Sequence, residues 1–361
     1  MSKQTDWHSS RVAKQLSLRY PIIQGPFGGG NSSVALAAAV SNASGLGSYG
    51  AHHLDPQDIK QIVQDIRNHT NAPFNINLWI PLADEAKTQL SKEDFAQHLE
   101  QLRPYYERLG APLPIYKESW GQDFEAQIQA LLEVRPPIVS FVFGYPNQNI
   151  LQELQKRGIQ TIATATTVEE AITLEQNGID LIVASGSDAG GHRGAFLRPV
   201  HESLVGTFSL VPQVASAVSI PVIAAGGIAD ARGINAAFAL GAEGVQIGTG
   251  FLVTIESAAS LTHKAALTNL KARVTVLTNA FSGRLARAIP NQLSRDLLPD
   301  ASNLAPYPIQ SAMTAPLREA AATQGNNDYL NLWAGQAAPL TQTKTASEYF
   351  NELVTTFESL N

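Results

Sequence analysis

The residues best placed to do chemistry lie in a glycine-rich loop that directly follows an apolar run. The run, residues 181–184, has the length and composition of a strand buried on both faces. The loop after it, residues 185–194, holds four glycines with one aspartate, one histidine and one arginine among them. Glycine has no Cβ, so the backbone of such a loop can approach a ligand closely. His192 is therefore the candidate catalytic residue, because an imidazole can act as an acid, a base or a donor near neutral pH. A plain turn whose histidine caps a neighbouring element is the alternative.

The elements that must position this loop follow a regular alternation. Short apolar runs predict eight strands, and helical patterns separate them. The predicted strands are residues 21–24, 45–50, 73–80, 138–143, 160–165, 180–185, 221–225 and 244–247. Glycines follow the predicted helices where a left-handed cap is expected. Alternating βα units imply a parallel α/β sheet, and eight of them predict a closed (β/α)8 TIM barrel. An open doubly wound sheet is the alternative, but the short, neutral strands that end in glycine favour the barrel.

The length of 361 residues fits one barrel domain with two additions. Residues 82–122 are charged, with helical pieces and a proline-rich break, and predict an insertion after the third strand. It is either a lid or a surface excursion without function. Residues 261–361 are polar and mainly helical, and we expect them to pack on the barrel as a C-terminal extension.

In such barrels, ligands bind at the C-terminal ends of the strands. This places the loop that begins at Gly25, then Asn77, the 185–194 loop and two further glycine-rich loops on one surface. Those two loops follow the seventh and eighth strands, which is a frequent phosphate site of the fold. Gly226, Gly227, Gly248 and Thr249 offer little bulk, backbone N–H groups and one hydroxyl. Taken together, the two loops predict phosphate binding, although either glycine pair alone could simply turn the chain.

Composition excludes several other classes of function. The chain has no cysteine, which rules out disulfides, thiolate nucleophiles and iron–sulfur clusters. A net charge of −6 without a basic cluster argues against a nucleic-acid partner. No apolar run approaches the roughly 20 residues of a membrane span, so we expect a soluble cytoplasmic protein with no membrane partner. A metal site has little support. His52 and His53 are expected near the surface, and so are the histidines in polar contexts, His8, His69, His98, His201 and His263.

Four stretches together resemble, in order, the flavin-dependent nitronate monooxygenases, formerly called 2-nitropropane dioxygenases, and most closely their bacterial class I group. The stretches are QGPFGGGNSSVALAAAVSNASGLGS, GSDAGGHRG, PVIAAGGIADARG and GAEGVQIGTGFL. Near the C-terminus, LTNAFSGRLAR and YPIQ followed by WAGQAA are also similar to that group. The resemblance extends from Pro21 to about Ala338, but residues 82–124 carry none of it.

The resemblance implies an FMN-bound barrel that oxidises alkyl nitronates, such as propionate 3-nitronate, with O2 and without NAD(P)H. It implies that His192 hydrogen-bonds the nitro group or accepts the α-proton of a neutral nitroalkane. Phe27 and Tyr307 would lie in the substrate pocket. The implied FMN-binding residues are Gly25, Asn77, Ser185, Gly190, Gly226, Gly227, Gln246, Ile247, Gly248 and Thr249. The oligomeric state is left open, with a homodimer as the candidate.

Three positions depart from the usual pattern of that family. Ser185 stands where the family usually has glutamine, and Asp188 where it usually has glutamate. Ser185 is shorter than glutamine, so we expect it to reach the flavin only through water. Phe27 puts an aromatic ring where a flexible methionine normally lies. These departures bear on the substrate and on redox tuning more than on flavin binding.

Three other functions fit the same sequence. The first is a related FMN barrel, the enoyl-acyl-carrier-protein reductase that uses NADH and carries a similar AGGH loop. The second is a flavin-binding protein without turnover. The third is a phosphosugar isomerase on the same fold, because fold does not fix function.

Overall fold

The computed structural model describes residues 7–82, 90–299 and 303–360, and its centre is a barrel of parallel strands. The barrel strands are β1 (Ile22–Gln24), β2 (Gly47–Gly50), β3 (Phe74–Trp79), β4 (Ile138–Val142), β5 (Gln160–Ala165), β6 (Leu181–Ser185), β8 (Val222–Ala225) and β9 (Gly244–Ile247). They are hydrogen-bonded in the order β1-β9-β8-β6-β5-β4-β3-β2. A parallel bridge between Ile23 and Leu46 joins β1 to the chain that enters β2, with the N–H of Gln24 donating to the carbonyl of Leu46 at 2.9 Å. The predicted (β/α)8 TIM barrel is confirmed, and the open sheet is excluded.

Helices cover the outside of the barrel. The local sequence supplies the N-cap residue at which each of these helices begins and the apolar residues that it buries. Ser33, Asp55 and Thr167 each accept a hydrogen bond from the first turn of the helix that follows. Gly158 and Gly178 adopt φ of 70° and 83° just after two helices, as expected for left-handed caps. The helices are α1 (Arg11–Gln15), α2 (Val34–Asn42), α3 (Pro56–His69), α4 (Lys92–Leu109), α5 (Phe124–Val134), α6 (Gln148–Lys156), α7 (Val168–Gln176), α8 (Thr207–Ala217), α9 (Ala231–Ala239), α10 (Thr249–Leu252), α11 (Leu261–Leu267), α12 (Gln292–Asp296), α13 (Ile309–Thr323) and α14 (Ala346–Leu360).

One end of the barrel is filled by apolar side chains. Val12 of α1 and Leu16, which follows that helix, pack in a buried cluster with strand residues such as Ile23, Ile162 and Leu181. A separate apolar layer lies between the strands and the surrounding helices. A cavity can therefore open at the C-terminal ends of the strands, where the glycine-rich loops lie.

The C-terminal extension is less uniformly helical than the sequence pattern predicts. Strands β10 (Val276–Thr278) and β11 (Ala286–Ala288) form a hairpin, and β11 also pairs antiparallel with the two-residue strand β7 (Gly191–His192). Ala286 lies opposite His192 in that register. α4, from the insertion, and α13 share a second apolar core with the extension. The extension thus fixes the backbone of the loop that carries His192. In the part of the chain that the structure describes, no helix combines the length and hydropathy needed to cross a membrane.

His263 is buried, so its expected place on the surface is wrong. It lies in α11 with 5% of its surface exposed, and its Nε2–H donates to the carbonyl of Trp333 at 3.0 Å. Burial lowers the pKa of His263 to about 4. The local sequence is polar, but the carbonyl that accepts the hydrogen bond belongs to Trp333, 70 residues later in the chain.

This burial predicts an acid-sensitive contribution to stability. Between the ordinary histidine pKa and about 4, the unfolded chain binds a proton that the folded His263 does not, so the free energy of unfolding falls as the pH falls. The amide of His263→Gln can keep the hydrogen bond but does not titrate. Between about pH 7 and about pH 5, we expect the free energy of unfolding of His263→Gln to fall by about 2 kcal/mol less than that of wild type. Urea unfolding at the two pH values measures it, with the exposed His69→Gln as control. Equal losses in wild type and His263→Gln would contradict the assignment.

Candidate active site

A cavity of about 810 Å³ opens at the C-terminal ends of the barrel strands. This volume lies in the range of cofactor and substrate pockets. It is lined by nearly all of the residues that the sequence assigned to a site: Gly25, Phe27, Asn77, Ser185, Gly190, His192, Gly226, Gly227, Gln246, Gly248, Thr249 and Tyr307. Ile247 lies outside this set, because its side chain packs in the apolar core between strands and helices. Its carbonyl accepts the N–H of Gly25 at 2.9 Å, so it joins two of the loops without lining the cavity.

His192 sits at one wall, held by a hydrogen bond and by aromatic rings. Its Nε2 lies 2.8 Å from Oγ of Ser282. The Ser282 hydroxyl donates to the carbonyl of Arg284 at 3.2 Å, so its oxygen accepts from Nε2–H and leaves the lone pair on Nδ1. The ring centroids of Trp79 and Trp333 lie 5.0 and 5.2 Å from the imidazole centroid.

Burial, followed by the nearby charge of Arg318, lowers the pKa of His192 to about 4. The imidazole is therefore neutral near pH 7. A neutral imidazole with one free lone pair can accept a proton or receive a hydrogen bond from a ligand.

Two arginines hold the loop that carries His192. The buried Arg193 donates from Nη1 to the carbonyl of Gly186 at 2.6 Å and from Nη2 to the carbonyl of Ser185 at 2.7 Å. Arg287 donates from Nε to the carbonyl of Ser187 at 2.7 Å. At the far end of the loop, a Cβ on Gly190 would come within 2.5 Å of a backbone nitrogen of the C-terminal extension. The loop is thus fixed by buried charge-assisted bonds and by close backbone packing.

The two loops expected to bind phosphate approach the cavity as bare backbone. Gly226 and Gly227 adopt φ of 109° and 71°, a region that side chains rarely enter. A Cβ on Gly226 would lie 2.6 Å from Oγ1 of Thr207. Oγ1 of Thr249 accepts the N–H of Gly335 at 2.9 Å, so its own proton can go to a ligand. The space for a phosphate beside these two loops exists only because no side chain occupies it.

Asn77 is fixed inside the barrel mouth by its neighbours on β4. Its Nδ2 donates to the carbonyl and to Oγ of Ser140, at 3.2 and 3.0 Å. Asn75, two residues earlier, donates to the same Ser140 Oγ at 2.8 Å and to Oγ of Ser48 at 3.2 Å. The amide next to the cavity therefore has one defined orientation.

The cavity also holds residues that the sequence reasoning missed. His52 stacks on the indole of Trp79 with centroids 3.7 Å apart, and its Nδ1 is buried without a hydrogen-bond partner. The expected surface position of His52 and His53 is therefore wrong, since both line the cavity. Trp79 could have been found, because it lies two residues after Asn77 and so on the same face of the strand. Gly28 leaves room for His52, since a Cβ there would overlap the imidazole.

The insertion supplies part of the wall. Its predicted range, residues 82–122, contains α4 and includes residues 83–89, which lie outside the described residues. Lys117, Trp120 and Gln122 line the cavity. Trp120 stacks on Phe95 of α4 at 5.7 Å, and Gln122 donates to the carbonyl of His53 at 3.2 Å. The role of the segment as a lid stays a prediction.

The charge around the cavity is one-sided. Within residues 7–82, 90–299 and 303–360, no aspartate or glutamate lines it, whereas Lys117 and Arg318 do. The same described residues contain no group of three or more His, Asp or Glu that could hold a metal ion. A carboxylate-free cavity with cations in its wall favours anionic ligands.

The chain is similar to known proteins by family model, by sequence and by structure. A family model described as nitronate monooxygenase matches residues 9–356. A probable nitronate monooxygenase from Staphylococcus aureus (strain MRSA252) is 40% identical over 349 residues, which is 96% of this chain and 97% of that protein. The structure of a nitroalkane oxidase from Streptomyces ansochromogenes is similar with a TM-score of 0.88 and 36% identity, covering 96% of this chain and 98% of that one. FabK from Thermotoga maritima is similar with a TM-score of 0.75 and 28% identity, covering 97% and 96%.

Proposed function

The chain belongs to the nitronate monooxygenase family of flavin-dependent oxidoreductases, and from this membership we propose that it binds FMN and oxidises small alkyl nitronates, such as propionate 3-nitronate, with O2. The enzyme class rests on the family match over nearly the whole chain. The identity of the flavin, the substrate and the use of O2 are our proposal.

The shape and chemistry of the cavity support FMN as the cofactor. The bare backbone at Gly226 and Gly227, with the hydroxyl of Thr249, would hold the phosphate. Gly25, Gln246 and Gly248 would complete that side, and Ile247 would act only through its backbone. The side chain of Asn77, with Ser185 and the backbone at Gly190, would contact the rest of the flavin. Bound FMN supplies the two-electron redox chemistry that no side chain of this protein can provide.

The protein's own residues would orient the substrate and move a proton. With a neutral nitroalkane, the α-proton would pass to Nδ1 of His192, and the electron pair of the C–H bond would move into the nitro group to form the nitronate. With a nitronate supplied as the anion, that step is unnecessary, and the cationic wall would favour its binding. Phe27, Tyr307 and Trp79 would enclose the alkyl chain and exclude water.

The observation that carries the proposal is a neutral imidazole in a carboxylate-free, glycine-walled cavity at the C-terminal face of the barrel. The test is oxygen uptake by the purified protein, loaded with FMN, on addition of propionate 3-nitronate. We expect steady-state uptake that does not need NADH. No uptake with any alkyl nitronate would contradict the proposal, and would favour a flavin-binding protein without turnover.

An NADH-using enoyl reductase is the second candidate, because the loop at residues 189–192 has the AGGH sequence that resembles that group. FabK, at 28% identity, shares the fold. The likeness to the nitroalkane oxidase is greater in both identity and TM-score. Mixing the flavin-loaded protein with NADH in the absence of oxygen separates the candidates. Rapid bleaching of the flavin by NADH would favour the reductase, whereas we expect the spectrum to persist.

A further inference from the structure

One helix of the C-terminal extension presents a continuous face to the cavity. Residues Ser311, Ala312, Ala315 and Arg318 of α13 all line it, at a spacing that puts them on one side of a helix. The opposite side of α13, including Met313 and Leu317, is buried in the second apolar core. The first three cavity-facing residues are small, so they leave space in front of the one long cationic side chain.

Arg318 has few partners for a partly buried cation. Its Nη2 donates to the carbonyl of Ser311 at 3.0 Å, and its Nε is buried without a hydrogen-bond partner. Among the residues that the structure describes, no carboxylate pairs with it. Burial lowers its pKa to about 10, so the guanidinium remains charged at neutral pH. A desolvated cation without a counter-charge is costly, and a bound anion would offset that cost.

The charge of Arg318 also reaches the reaction site, because it contributes to lowering the pKa of His192. The guanidinium and the candidate base thus belong to one electrostatic environment. Tyr307, two residues before the start of α13, lines the cavity with a ring centroid 6.4 Å from that of His192. A short substrate held near His192 can therefore have a second end that meets the α13 face.

We propose that Arg318 binds a carboxylate at the far end of the substrate, and so selects short nitronates that carry a second negative charge. This inference rests on the proposed function and names the residue that chooses among nitronates. The planar fork of a guanidinium matches a carboxylate with two parallel hydrogen bonds. A nitronate of equal length without the carboxylate would leave Arg318 unpaired.

The first test compares two substrates of similar length, propionate 3-nitronate and propyl 1-nitronate, in wild type and Arg318→Gln. We expect the ratio of their kcat/KM values to fall by about 10- to 100-fold in Arg318→Gln, mainly through the KM of the carboxylated substrate. Arg318→Lys, which keeps the charge, should recover part of the ratio. Arg198→Gln, which removes an exposed cation that pairs with Glu169 of α7 and does not line the cavity, is the matched control. An unchanged ratio in Arg318→Gln would overturn the proposal.

The second test needs no turnover, so it separates this inference from the proposed function. Succinate resembles propionate 3-nitronate in length and charge, and butyrate lacks the second charge. Isothermal titration of the FMN-loaded protein should show tighter binding of succinate than of butyrate, and Arg318→Gln should remove most of the difference. If wild type oxidises no nitronate but binds succinate in this way, the proposed function fails and the role of Arg318 stands. Equal binding of the two acids by wild type, or loss of FMN from Arg318→Gln, would overturn the role.

Discussion

His192→Asn is expected to lower kcat/KM for a neutral nitroalkane, such as 1-nitropropane, by at least about 100-fold, while the protein keeps its FMN. The reason is that the neutral imidazole has its free lone pair on Nδ1, and asparagine offers no group of comparable basicity. Asparagine can still donate to Ser282, so the wall of the cavity should persist. Initial rates of oxygen uptake, together with the FMN content of the purified variant, measure the effect.

The matched substrate is the nitronate of the same alkane, supplied as the anion. Because no proton has to be removed from it, its kcat/KM should fall by a much smaller factor in His192→Asn. If both substrates lost activity to the same extent, His192 would serve binding or folding rather than proton transfer. Unchanged activity with 1-nitropropane would rule out the assigned role altogether.

The second large effect concerns the backbone around the expected phosphate. Gly226→Ala should weaken FMN binding by about 10- to 100-fold, the effect of losing a hydrogen bond to a charged group. The residue adopts φ of 109°, and its Cβ would lie 2.6 Å from Oγ1 of Thr207 and 3.0 Å from the nitrogen of Ala189. The loop must therefore shift, and the shift moves its amides away from the phosphate. Titration of the apoprotein with FMN, followed by flavin fluorescence, gives the dissociation constants.

Gly178→Ala provides the control for backbone strain. Gly178 adopts φ of 83° after α7, and a Cβ there would meet nothing within 4 Å. Both variants should lose some stability, but only Gly226→Ala should lose affinity for FMN. Equal affinities in the two variants would show that the loop after β8 does not hold the cofactor.

The sequence determines most of the barrel and one half of the site, because both are encoded locally. Most of the strands are short runs rich in apolar residues that are followed by glycine or proline, and parallel strands bring their C-terminal ends to one face. For this reason the sequence alone predicts that the loops at Gly25, Gly190, Gly226 and Gly248 line one cavity, as they do. The exception, Ile247, alternates with Gln246 along the strand and so faces the core.

The other half of the site depends on contacts between distant segments. β7 is two residues long and exists because β11, almost a hundred residues later, pairs with it, so no local pattern could reveal it. Arg318 and Trp333 reach the cavity only through the packing of the C-terminal extension. The expected surface position of His263 is wrong for the same reason, since the buried ring donates to the carbonyl of Trp333, 70 residues later in the chain.

The central claim is that this cavity holds a flavin that accepts electrons from a nitronate. The visible absorption spectrum of the purified, FMN-loaded protein, recorded without oxygen before and after addition of propionate 3-nitronate, tests it most directly. We expect an oxidised flavin spectrum that the nitronate bleaches and that returns when air is admitted. A protein that takes up no FMN, or a flavin spectrum that the nitronate leaves unchanged, would contradict the account.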